Sequence, residues 1–269
     1  MKKLFVFVFV ACASLSLLAQ DSTNISGTRI KADRKSEKRQ RINAMMKQEE
    51  EGNLSYTKQS IFGIQLRTNG YGFFYEMGRR SSPRWTTVFT GELTEIKSDK
   101  EEKLGGSQNF FGNSFIYGKI NNFYQFKLGA GRQYIFGQKG NKNGVAIIGT
   151  VQGGFDLGFL KPYYVDIQDS SGLDKTISYY QDSSNFLNPV AFYGSAGFGK
   201  GWNELKFKPG LFIKTSLRFD FGRYNESVSA IEIGMSLEAF AQKIQIMALN
   251  DPKQLFFQGH IAFVFGKRK

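Results

Sequence analysis

The chain has 269 residues, with 36 Lys and Arg against 23 Asp and Glu, one His and one Cys, for a formal net charge of +13. A single cysteine excludes an intrachain disulfide framework, and one histidine leaves little from which to build a soft-metal site. No apolar run of 18 residues follows the N-terminal segment, so a membrane-spanning helix is excluded for the rest of the chain.

The first element is MKKLFVFVFVACASLSLLAQ. Lys2 and Lys3 form a basic n-region, Leu4 to Leu18 an apolar stretch, and Ala19 a small residue suited to cleavage. This predicts a secretory signal peptide over 1–19, too short for the roughly 20 residues of a spanning helix. Cys12 lies within it, and cleavage would leave a mature chain without cysteine and with a formal charge of 13 − 2 = +11. An exported basic chain meets lipid phosphate rather than nucleic acid.

Residues 20–51 predict a charged periplasmic arm. The run KADRKSEKRQRINAMMKQEEE has no Gly or Pro, and Glu37 and Arg41 are spaced as a helix-favouring pair. Ile42, Met45 and Met46 share one helical face, beside a basic run that includes Arg34, Lys35 and Arg39. The segment reads either as a solvated helix or as an irregular charged arm. In both forms these residues could dock on another envelope protein.

From residue 52 to 269 period-two alternation replaces helical spacing. Strands are expected at 60–68, 71–79, 84–97, 113–120, 122–136, 144–160, 189–199, 210–222, 227–241 and 254–266, with a hairpin turn at Asn69-Gly70. Most are 9 to 15 residues long, which suits tilted membrane-spanning strands rather than soluble ones. The expected fold is all-β: a closed antiparallel transmembrane β-barrel of about ten strands, with 8 or 12 as alternatives. A ten-strand count makes 161–188 a connection on the same side as the termini.

The stretch GLFIKTSLRFDFG (210–222) sets out the two faces. Leu211, Ile213, Leu217 and Phe219 alternate with Lys214, Arg218 and Asp220. Extending the alternation gives an inward set of Arg67, Glu76, Glu92, Lys127, Asp156, Lys214, Arg218, Asp220, Glu232, Glu238 and His260. Four cations against six anions is near balance, as a narrow lumen short of water requires. Aromatic residues bunch at strand ends, as interfacial girdles do.

The segments YGKINNFYQFKLGAGRQ (117–133), GGFDLGFLKPYYVDI (153–167), FGKGWNELKFKPGLFIKTSL (198–217), KIQIMA (243–248) and FVFGKRK resemble a group of small outer-membrane β-barrel proteins of the Bacteroidota. The resemblance covers roughly 60–269. It implies an outer-membrane location, an outer-membrane lipid environment and a barrel fold, and it carries over no functional residue.

Three functions follow as expectations. The first is a structural or accessory subunit of an envelope assembly. The second is a porin-like channel for small solutes, with the loops at 99–114 and 166–188 leaving room for adhesion. The third, a lipid-modifying enzyme, would need His260 to act with Ser216 or Ser236 and with Glu232 or Glu238. A lumen histidine is the preferred reading, so no catalytic, cofactor or metal residue is assigned. GKGWNELKFKPG lacks the P-loop pattern.

Overall fold

The computed structural model describes residues 36–40, 42–43, 56–104, 114–141, 143–168, 173–188 and 192–269. The chain divides into two units, Met1–Glu51 and Gly52–Lys269. In the first, residues 36–40, 42 and 43 are helical and exposed, including Arg39 and Ile42. The expected signal peptide and Arg34, Lys35, Met45 and Met46 lie outside the described residues.

The described residues of the second unit form thirteen strands. They are β1 Lys58–Arg67, β2 Gly70–Arg80, β3 Trp85–Ile96, β4 Lys103–Leu104, β5 Phe115–Ile116, β6 Asn121–Gly137 and β7 Ala146–Pro162. Then follow β8 Tyr164–Gln168, β9 Asp174–Ser178, β10 Phe192–Ser195, β11 Lys206–Asp220, β12 Ser227–Ile244 and β13 Lys253–Arg268. Eight of them close an antiparallel barrel in the order β1-β13-β12-β11-β7-β6-β3-β2. Closure pairs β1 with β13, so no barrel edge is left open.

The paired residues fix the stagger. From Arg67 the ladders run through His260, Gly234, Ser216, Thr150, Gln133 and Thr86 to Arg80. The amide of Arg80 then bonds the Thr57 carbonyl, so one circuit returns ten residues (67 − 57) below its start. Eight strands with that stagger tilt by about 35–45° and leave an interior only wide enough for side chains to fill.

Eight strands, not ten, form the barrel. The expected strand at 113–120 shortens to β5, which pairs with β4, because Gly118 takes φ 70° and breaks the extended backbone. The expected strand at 189–199 shortens to β10, because Gly197 and Gly201 both take positive φ. The hairpin turn also moves. Thr68 and Asn69 make it, and among the described residues no non-Gly residue has positive φ. Gly70 opens β2, where a Cβ would lie 1.9 Å from the Glu95 carbonyl oxygen.

The corrected count reassigns 161–188. The connections 68–69, 97–120, 163–205 and 245–252 all lie at the end distal to the barrel termini, and 81–84, 138–145 and 221–226 lie at the terminal end. The two long connections, 97–120 and 163–205, are thus both at the distal end, whereas none at the terminal end exceeds eight residues, the asymmetry of outer-membrane-type barrels.

The distal connections carry structure of their own. β10, β8 and β9 form a small sheet, followed by a one-turn helix at Ser183–Phe186 capped by Asp182. Phe115, Val165, Ile167, Ile177 and Phe186 make its core. A hydrogen bond from Asn185 N–H, then bonds from the Asn185 and Ser184 side chains, hold the Asp182 carboxyl below its usual range.

Candidate functional site

The barrel wall is apolar outside and polar within. Phe155, Phe257, Leu255 and Leu211 are more than half exposed. The alternating inward positions bury Gln, Thr, Glu, Lys and Arg. All eleven residues assigned to the lumen from sequence point inward and are buried, none more than 8% exposed.

The structure brings ten of the eleven into two networks at mid-height and places Asp220 apart. In the first, Arg218 grips Glu76 with both terminal nitrogens, at 3.0 and 3.1 Å. It donates to Glu232 from Nε at 2.8 Å and from a terminal nitrogen at 2.6 Å. Gln59 and Gln133 also donate to Glu76, at 3.2 and 2.8 Å. His260 Nε2 faces Glu232 at 3.6 Å, too long for a hydrogen bond.

In the second network, Lys127 bridges Glu92 at 3.2 Å and Glu238 at 2.5 Å. Lys214 pairs with Glu92 at 3.0 Å, and Arg67 pairs with Glu238. Gln125 donates to Asp156 at 3.0 Å and to Glu238 at 2.9 Å. Three cations thus meet three anions. Such multiply hydrogen-bonded pairs are the form in which buried charge is tolerated.

Asp220 stands nearer the terminal end, where Arg268 approaches it at 2.6 Å and Lys139 at 3.6 Å. Sequence reasoning missed both cations. Arg268 continues the inward alternation of β13 two residues past the expected strand end, and Lys139 sits in a loop with no periodic signal. Adding them to the four expected cations gives six against six anions.

An apolar layer covers the distal end of this polar core, and further apolar clusters interleave with it towards the terminal end. Phe123, Phe240 and Phe256 meet at ring distances of 5.3 to 5.9 Å at the distal end. Ile244, Ile246 and Met247 pack on them. The 245–252 loop is held there by Ile120 N–H and Asn121 N–H, both bonded to the Ile246 carbonyl. Ile61, Phe74, Val228 and Val264 form a cluster beside the Arg218 network, with Ile61 opposite Glu76 and the Phe74 ring under Lys214, and Tyr56 forms another with Ile135 and Ile148 at the terminal end. At mid-height the inward Gly129 and Gly154 face each other across β6 and β7, and the Phe212 ring fills the space a Gly129 side chain would take.

The Ser216 and His260 side chains flank Gly234, whose Cβ would lie 2.6 Å from the His260 ring. Neither Ser216 Oγ nor His260 Nε2 has a hydrogen-bond partner. No cluster of three or more metal-ligating side chains occurs among the described residues.

No protein-family model matches the chain, and no curated protein matches it. Among solved structures it is similar to Ail, the attachment invasion locus protein of Yersinia pestis. The two are 10% identical with a TM-score of 0.36, over 80% of this chain and 100% of that one. The figures are the same for Ail in complex with the heparin analogue sucrose octasulfate. Neisserial surface protein A is 10% identical with a TM-score of 0.37, over 79% of this chain and 96% of that one. Likenesses this distant carry no argument, and the barrel rests on its own hydrogen-bond ladders.

Proposed function

We propose that the chain is an integral outer-membrane barrel that serves as a structural or accessory subunit of an envelope assembly and is not an enzyme. The observation that carries this reading is the filled lumen: six cations and six anions buried inside the barrel, covered by an apolar layer at the distal end. A wall that is apolar outside and charged inside is inverted relative to a soluble sheet, and bilayer is the medium that suits it. Because the inward charges are buried, the surfaces left for a partner are external. The resemblance of 117–133 and 198–217 to small Bacteroidota barrels supports the same location, since these segments lie largely on β6 and β11.

The distal cap is the surface offered to a partner. It has its own core and exposes Phe198 and Trp202, whose rings meet edge to face at 5.2 Å. The N-terminal unit is the second candidate, through its basic run and Ile42. A photo-crosslinker at Trp202 or at Lys38, in intact cells, is expected to yield a discrete adduct with one envelope protein. A barrel that yields only uncrosslinked monomer from both positions contradicts the assembly reading.

A further inference from the structure

We propose that the outer wall holds one glycerophospholipid, with its phosphate at Arg132 and its acyl chains in a shallow groove. The inference builds on the membrane reading above.

Arg132 is an exposed, outward-facing residue of β6, five positions in from the strand end at Gly137. Other outward charges of the barrel strands, such as Lys58, Glu95, Lys253 and Lys267, sit at or beside strand ends. Its neighbours across the ladders are Thr87 and Val151, and its neighbours along the strand are Ala130 and Tyr134. Among the described residues none hydrogen-bonds or ion-pairs with it, and the single outward carboxylate of the barrel strands is Glu95, at the opposite end of β3. A guanidinium within an apolar band requires an anion from outside the chain.

Two further observations identify that anion. Beside Arg132, the Trp85 and Tyr134 rings pack at 4.7 Å, tilted by 55°, and Arg84 donates to the Tyr134 hydroxyl at 3.3 Å. This places a second guanidinium and an amphipathic aromatic pair at interface height. The groove of about 1500 Å³ begins here and runs obliquely past Gly149, Val151, Thr215 and Met235 towards Gly259. Gly149 has no side chain and the Phe136 ring packs in that space, so the ring forms the wall of the groove near Arg132. An apolar trough with cations at one end complements a phosphate bearing acyl chains. Since it starts at the terminal end, it faces the leaflet on the side of the short turns.

Purified barrel in mild detergent, titrated with dioleoylphosphatidylglycerol and read by native mass spectrometry, tests this. One retained phospholipid is expected, with dioleoylglycerol failing to replace it and inorganic phosphate failing to displace it. Arg132→Gln should lower retention about tenfold, the loss of one charge-assisted contact. Thr215→Phe, which fills the groove, should lower it as well. Arg79→Gln removes an exposed cation at the same end on β2 and should leave retention unchanged. Equal loss in Arg79→Gln, equal retention of dioleoylglycerol, or full retention in Arg132→Gln overturns the site. Heat-modifiable gel mobility confirms that each variant is folded. Vesicle flotation separates the two ideas: wild type that fails to float removes the membrane reading and the site together, whereas floating protein with unchanged Arg132→Gln retention removes only the site.

Discussion

Replacing Arg218 with leucine is expected to destabilise the folded barrel by about 3–5 kcal/mol. The guanidinium is fully buried and is the ion-pair partner of both Glu76 and Glu232, which sit on opposite sides of the lumen wall. Without it two carboxylates face each other in a space with little water. The remaining donors to Glu76 are the uncharged Gln59 and Gln133, and His260 stands beyond bonding range of Glu232. The compensating experiment is as informative as the loss. Combining Arg218→Leu with Glu76→Gln and Glu232→Gln removes all three charges, and most of the lost stability should return. Equilibrium urea unfolding in detergent micelles gives both values. A single substitution that costs less than about 1 kcal/mol would mean that the carboxylates have another counter-charge or open water.

Ile213→Arg tests the outer face. Ile213 is the middle outward residue of β11, about half exposed, between Gly153 on β7 and Leu237 on β12. At the centre of a bilayer an arginine on this face costs about 2–4 kcal/mol, and near the interface about 0–1 kcal/mol. Ser60→Arg, near the terminal end of β1, is the interfacial control. Unfolding from phospholipid vesicles should separate the two by that margin. Were the barrel water-soluble, both would be ordinary surface substitutions, within about 0.5 kcal/mol of wild type.

Much of this was legible because a strand that separates lipid from a filled lumen must alternate at period two along its whole length. GLFIKTSLRFDFG shows both faces in thirteen residues, and the same rule assigned Glu92 and Lys127, which meet across β3 and β6. It failed where alternation was local. The stretches 113–120 and 189–199 carry strand-like composition, but glycines at positive φ end the extended backbone there. Removing the strand at 113–120 also moves 161–188 to the distal end, since each strand reverses the side on which the next connection falls. The distal cap was illegible for a different reason. Val165, Ile167 and Phe186 are buried by loop-on-loop contacts that no periodicity announces. The charge count fell two cations short because Arg268 lay past the expected end of the last strand and Lys139 lies in a turn.

The outer groove also follows from register rather than composition. The alternation that turns Lys127 and Gln133 inward turns Arg132 outward. Its isolation from carboxylates is visible only once the ladders place Thr87 and Val151 beside it.

On the proposed reading, the balanced ionic core closes the lumen to solutes. Single-channel recording of the refolded barrel in a planar bilayer tests it most directly. The account predicts a silent membrane for wild type. Reproducible ohmic steps, altered in size or selectivity by Lys214→Ala or Glu92→Ala, would contradict it and establish the interior as a conducting path.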